Sequence, residues 1–292
     1  MATNTTITSS FVGTASKEIF VQMMKSSDTI SKGLITVLPN VIGSAILPKL
    51  AYSDTLHAAT CGWNPTGTIT LTEKEITTKQ FEIANELCKK DFAQTFSAQN
   101  LGLFSAQSEI PSDIKEAILL EIVKHTAYAV DNYIWNDSTS GLFAQFVADA
   151  TVIDVVGATI SVANVVAEIA KTYNAIPSEI DQEDDVVIVV SKDIAKMYRS
   201  AQASMGNNTT VGAKELDYLG TKIDTISKFP NQTMVAYRVK NLYFATGLES
   251  DMQNVRMVDS DETNLDGMVK TKVQLLAGQG YAFGGEIVFY KA

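Results

Sequence analysis

Between Pro111 and Asn136 apolar residues recur three and four positions apart: Ile114, Ile118, Ile122, Val123, Val130 and Ile134. This is the period of a helix with one buried face. About 24 residues at 1.5 Å each give a rod of roughly 36 Å. Three or four turns are usual in globular domains, so this helix is long enough to act as a strut. Further on the period disappears. Val186-Val187-Ile188-Val189-Val190 is continuously apolar, which predicts a strand buried on both faces and central in a sheet. The acidic lead-in Glu179-Ile180-Asp181-Gln182-Glu183-Asp184-Asp185 precedes it. Ser191-Lys192-Asp193 follows and predicts a capped helix start, with Ile194, Met197, Tyr198 and Ala201 inward. Ser161 is expected to cap an earlier helix with Val162, Val165, Val166, Ile169 and Ala170 on one face. A Gly/Asn/Thr loop leads to Leu219-Gly220-Thr221-Lys222-Ile223-Asp224. Residues 151–230 therefore read helix, strand, helix, loop, strand: a small α/β unit.

From Thr233 the pattern is β-rich. Thr233 to Val239, Leu242 to Thr246, Gln253 to Val258, Met268 to Leu276 and Glu286 to Tyr290 all read as strands. Val269, Thr271, Val273 and Leu275 alternate with polar residues, as in a half-exposed strand. The amino-terminal part is less regular. Residues 1–16 are Thr/Ser-rich and carry too little apolar surface to order themselves, which suggests an arm lying on something else. Ser16 is placed to cap a short helix carrying Ile19, Phe20, Met23 and Met24. Gly33 to Leu50, punctuated by Pro39 and Pro48, reads as extended chain or broken strand. Gly62 to Gly67 is a dense turn signal. Beyond it, Thr68 to Leu71 and Ile76 to Ile83 alternate at period two and predict a two-stranded excursion. Cys88 to Gln99 reads as helix, with Phe92 and Phe96 four apart.

Composition narrows the classes. At 292 residues, 46% hydrophobic and 19% charged, the chain can bury a substantial core. Its net charge is −10 and its pI about 4.7. No basic run accompanies this, which argues against tight binding to a nucleic-acid backbone. The longest apolar stretch, Val152 to Ala170, is broken by Asp154, Asn164 and Glu168 and is too polar and short to span a bilayer. The amino terminus has neither the basic nor the apolar region of a signal peptide. Two cysteines, Cys61 and Cys88, make no disulfide framework.

Motifs for chemistry are scarce. The two histidines, His57 and His125, are not spaced with cysteines or each other as zinc ligands. His125 reads as a helix-surface or interface residue. Gly206 to Lys214 imitates a phosphate loop, but the lysine falls one place late, no Ser or Thr follows it, and the loop follows a helix. Gly278, Gly280 and Gly284 imitate a dinucleotide fingerprint, but too few residues remain for a crossover helix and second strand. These glycines are expected at tight bends or close strand packing. Of the acidic groups Glu179 to Asp185 and Asp259 to Asp266, the second lacks the glycine and closing glutamate of a helix-loop-helix calcium site, and both read as solvated loops joining strands. No catalytic, cofactor-binding or metal-binding residue is assigned, and no cofactor is expected.

The order of elements, with the strand-to-helix phrase Asp185 to Lys192 and the Leu219-Gly220 turn, resembles the major capsid proteins of tailed bacteriophages, whose Johnson fold encapsulins share. The resemblance implies an α+β fold with an amino-terminal arm (1–50) and an extended β-hairpin loop (51–87). It further implies a peripheral domain (88–151) with a long spine helix (112–136), a central α/β axial domain (152–231), and return strands of both domains (232–292). Tyr237 to Thr246 is similar to the family's late hairpin and Val269 to Tyr290 to its final strands. The resemblance implies a structural subunit, not an enzyme, that self-assembles as pentamers and hexamers into an icosahedral head shell. Such a shell encloses double-stranded DNA without reading its sequence and has no membrane partner. It would be built in the host cytoplasm and reside in the virion, with a separate scaffold or none, and with portal and decoration proteins as the further partners the resemblance allows. The alternatives are an encapsulin-type compartment subunit and a soluble α+β enzyme such as a carboxylate-dependent hydrolase.

Overall fold

The computed structural model describes residues 27–53, 56–59, 61–62, 65–88, 112–181, 183–204, 216–247, 256–260 and 267–291. The expected arm at 1–16, the helix at 16–24, all but Cys88 of the helix expected from Cys88 to Gln99 and the glycine-rich loop at 206–214 lie outside the described residues; Cys88 itself ends a strand.

Two sheets share one layer of core. The first has six strands: β5 (Ile153–Val156), β6 (Val186–Ser191), β7 (Leu216–Tyr218), β8 (Thr221–Ile226), β9 (Thr233–Arg238) and β13 (Val288–Lys291), ordered β5-β13-β9-β6-β8-β7. β6 lies inside this sheet, antiparallel to β9 and parallel to β8, and all six of its residues are buried. Alternation explains why it is apolar throughout. Val186, Ile188 and Val190 pack with Ile169, Ile194 and Tyr198 from two helices on one face. Val187 and Val189 pack with Trp135, Tyr237 and Phe289 on the other. These helices are designated α4 (Val165–Asn174) and α5 (Lys192–Ser204).

The second sheet joins β1 (Thr36–Leu38), β4 (Lys79–Cys88), β10 (Leu242–Thr246), β11 (Arg256–Asp259) and β12 (Met268–Tyr281). β12 is the organising strand. Its first ten residues pair with β4, residues 269–272 also pair with β11, and its last five pair with β10. Burial alternates along its first half, as the period-two pattern predicts, and becomes continuous from Ala277. The long helix α2 (Ser112–Asn136) spans the expected residues. It carries Ile122, Val123, Val130, Ile134 and Trp135 into the layer between the sheets. α3 (Leu142–Ala148), which periodicity did not reveal, adds Leu142 and Phe146. Trp135, Phe143, Phe146, Phe229, Tyr237 and Phe289 meet there at ring-centroid distances of 5.0–6.3 Å.

Several expectations are corrected. Ser161 does not cap α4. The helix begins at Val165 behind Asn164, whose Oδ1 accepts from the Ser161 backbone N–H at 2.6 Å and from its hydroxyl at 3.0 Å. Ser161 thus closes a turn before the helix, and Val162 is left exposed. Tyr237 to Thr246 is not a hairpin. β9 and β10 belong to different sheets, and the 3₁₀ turn Val239–Asn241 carries the chain between them. The excursion also pairs differently. β3 (Thr68–Thr77) pairs over its whole length with β2 (Ser44–Ser53), while β4 turns away to β12. Pro48 is tolerated inside β2 because that strand has a partner on one side only.

Leu219 and Gly220 form the two-residue turn between β7 and β8, with φ of 50° and 89°. Positive φ at both positions is the geometry that matches the twist of a tight hairpin.

Candidate interaction surface

The β2–β3 ribbon is a separate two-stranded sheet, joined to neither of the larger two. Ten residue pairs from Ser44↔Thr77 to Ser53↔Thr68 give a two-stranded ribbon of about 34 Å at 3.4 Å per residue. Opposed residues of an antiparallel pair share a face. Ile46, Pro48, Leu50 and Tyr52 therefore lie on one face with their opposite numbers Glu75, Glu73, Leu71 and Ile69. Ile46, Leu50, Tyr52, Ile69 and Leu71 are each 59–67% exposed. Five large apolar side chains on one face of an isolated ribbon are not the scattered apolar residues of an ordinary surface.

The opposite face is fixed to the body at its root. Ile76 is 2% exposed and lies where a Cβ on Gly280 would come within 2.9 Å of its Cγ1. A Cβ on Gly278 would fall 2.6 Å from the carbonyl oxygen of Thr77. Only glycine lets β12 run this close under the hairpin, so the role of these glycines is close strand packing. The Thr78 hydroxyl donates to the Gly43 carbonyl and accepts from the Gly43 N–H, both at 3.1 Å, and the Thr78 N–H donates to the same carbonyl at 2.8 Å. One residue further from the core than Ile76 on this face, the Lys74 ammonium stands 3.4 Å from the Tyr281 ring centroid and 3.7 Å from Asp149 Oδ2. Lys49 Nζ lies 5.4 Å from the Phe283 ring centroid. Asp149 itself is immobilised, accepting from the Thr151 N–H at 3.0 Å, the Thr151 hydroxyl at 2.6 Å and the Tyr281 hydroxyl at 2.7 Å. The hydrogen bonds from Thr151 and Tyr281 hold its carboxyl well below the usual range, and burial pushes the Tyr281 hydroxyl up. Burial lowers Lys74.

The segment leading into the ribbon is fastened by groups that sequence reading did not single out. Asp131, buried in the middle of α2, accepts from the Ser27 hydroxyl at 2.6 Å, the Asp28 N–H at 2.8 Å and the Thr29 N–H at 3.2 Å. It thereby caps α1 (Asp28–Ser31) from another element. The Trp135 indole N–H donates to the Thr29 hydroxyl at 3.0 Å, and the Tyr237 hydroxyl donates to the Leu34 carbonyl at 2.9 Å. Lys32 pairs with Asp224 at 3.3 Å. Buried polar residues cannot be distinguished from surface ones by helical spacing alone, so Asp131 carried no sequence signal beyond standing next to Val130.

The residues weighed for chemistry are dispersed. His125 is exposed on α2, 3.2 Å from Glu121. His57 is exposed beside Thr66. Cys61 is exposed and Cys88 half-buried at the end of β4. The first acidic group is partly structured, not simply solvated: Asp185 lies 3.1 Å from Arg238 Nε and Glu183 3.4 Å from its Nη2. Most of the second lies outside the described residues. Among the described residues no three His, Cys, Asp or Glu side chains converge to hold a metal ion, and no helix is long and apolar enough to cross a membrane.

No protein-family model matches the chain, and no curated protein matches it by sequence. Solved structures do match. The capsid of a native GTA particle computed with C5 symmetry is similar over 92% of this chain and 90% of its own, with a TM-score of 0.64 at 11% identity. The capsid of the cyanophage P-SCSP1u is similar over 90% and 88%, with a TM-score of 0.60 at 13% identity. The satellite phage P4 procapsid that includes the size determination (Sid) protein is similar over 94% and 98%, with a TM-score of 0.54 at 16% identity. The α+β arrangement described above is thus the tailed-phage capsid fold.

Proposed function

We propose that this chain is a major capsid protein: a structural subunit that assembles with copies of itself, as pentamers and hexamers, into the icosahedral shell of a tailed phage. The observation that carries this reading is the β2–β3 ribbon. Two-stranded ribbons are marginal in water, and this one carries an apolar face that is exposed among the described residues. A second copy laid against that face would bury it. The match to capsid structures over about nine-tenths of the chain supports the same reading.

In this assignment 1–50 is the arm, 51–87 the extended loop, 88–151 the peripheral domain with α2 as spine, 152–231 the axial domain and 232–292 the return strands. The strand pairing favours drawing the extended element as 44–77 and giving 79–88 to the peripheral sheet. The shell would stand in the virion head after assembly in the host cytoplasm. It would enclose double-stranded DNA without gripping it, in keeping with a net charge of −10. Scaffold, portal and decoration proteins are the other partners this role calls for. The role is structural, and the dispersed histidines, cysteines and carboxylates favour it over a hydrolase.

Negative-stain electron microscopy of the purified full-length chain, alone and with any scaffold encoded beside it, tests the proposal. Closed shells or five- and six-membered rings are expected. Small discrete particles under both conditions would overturn it.

A further inference from the structure

Most of the hairpin root is apolar or backbone contact, which holds position but tolerates tilting. Lys74 is different. Its ammonium is held at once by the Tyr281 ring face, at 3.4 Å from the centroid, and by Asp149, at 3.7 Å. Both acceptors are rigid. Tyr281 ends β12, is 1% exposed and donates to Asp149 at 2.7 Å. Asp149 is the C-cap of α3 and is tied to Thr151 by two more hydrogen bonds. The carboxylate stands at the hydroxyl edge of that same ring, so the cation is fixed in direction as well as distance: sliding along the ring plane weakens the ring contact, and lifting off the ring weakens it too. Beyond Lys74 every residue of Leu50–Ser53 and Thr68–Glu73 is exposed.

We infer that Lys74, Tyr281 and Asp149 form a latch that sets the direction in which the hairpin leaves the body, and through it the angle between neighbouring copies. The lever is long. A tilt of about 10° at the root moves the tip of a ribbon of about 34 Å by about 6 Å, more than the width of one strand spacing. Only the effect on the angle between copies depends on the shell reading proposed above.

Two readouts separate the parts. Spin labels on Thr70→Cys in the ribbon and Lys196→Cys on α5, in a Cys61→Ser/Cys88→Ala background, report the distance between hairpin and body in the unassembled full-length chain. Lys74→Met keeps the aliphatic stem and removes the charge. It should broaden the distance distribution about twofold, because the latch is worth only a cation–ring contact and one partly exposed ion pair. Lys74→Arg, which keeps a cation over the ring, should restore the narrow distribution. An unchanged width in Lys74→Met overturns the latch. Electron microscopy of Lys74→Met shells should show a wider spread of diameters than wild type, and an unchanged spread overturns the link to the angle between copies. If the width broadens but the wild-type chain forms no shells, the latch stands and the shell reading fails.

Discussion

The Ser27 hydroxyl donates to the Asp131 carboxylate at 2.6 Å across 104 residues of sequence. The same carboxylate accepts from the Asp28 and Thr29 N–H groups, so a side chain of the long helix caps the single turn that precedes β1. Removing it with Asp131→Ala leaves a buried hydroxyl and two backbone donors unpaired. We predict a loss of about 3 kcal/mol, since each unsatisfied buried donor costs on the order of 1–3 kcal/mol. Urea unfolding of the unassembled chain measures it. A loss below about 1 kcal/mol would mean that water replaces the carboxylate and that the entry segment is not anchored here.

Glu168 is buried on α4, yet its carboxyl titrates below its ordinary 4.5. Burial alone would push it up, but Lys171, Tyr290 and the Ala158 N–H outweigh that effect. The Tyr290 hydroxyl donates to Glu168 Oε2 at 2.8 Å. A depressed folded-state value gives stability that is complete above the unfolded value and is lost as pH falls through the folded one. Tyr290→Phe should therefore cost about 1–2 kcal/mol at neutral pH and less at an acid pH low enough to protonate the folded-state carboxyl, where the advantage is lost. Unfolding free energies at the two pH values decide it, and equal deficits at both would contradict the assignment.

Leu219 sits at φ 50° in the turn between β7 and β8 and is 73% exposed. An L-residue with a branched side chain pays for this conformation, whereas asparagine adopts it readily. Leu219→Asn should stabilise the chain by about 1 kcal/mol, seen as a rise in melting temperature of about 2 °C. A fall would indicate that the leucine packs on something in the unassembled chain.

Where one periodic signal dominated, sequence and structure coincide. α2 runs from Ser112 to Asn136 and β6 is buried along its length, because a helical stripe and an unbroken β-branched run each admit one interpretation. α5 begins where Ser191 caps it, its hydroxyl accepting from the Ile194 N–H at 3.3 Å. Partner choice was not legible. Nothing local in Thr68–Thr77 says whether it pairs forward with 79–88 or backward with Ser44–Ser53. The decision rests on β12 drawing β4 away along ten residue pairs, a contact almost two hundred residues distant. Likewise Tyr237 and Leu242 are close in sequence but lie in different sheets because each strand follows its own long-range partners. The latch at Lys74 was invisible for the same reason, since Asp149 and Tyr281 are assembled only by the fold.

Leu50 and Leu71 oppose each other across the ribbon and are 64% and 65% exposed. In the unassembled chain neither supports a core, so Leu50→Asp and Leu71→Asp should each change stability by no more than about 0.5 kcal/mol. In a shell the same positions would be covered. Each substitution would then forfeit the roughly 1.5–3 kcal/mol of burying a leucine and would require a carboxylate to lose its water as well. Repeated at every copy, that penalty should abolish assembly while the chain stays folded. Thr70→Asp is the control, because Thr70 pairs with Ala51 on the opposite face and should still assemble. Melting temperature and sedimentation velocity of the three variants provide the comparison. Assembly lost equally in all three would point to a general charge effect, and assembly retained in both leucine variants would remove the apolar face from the contact between copies.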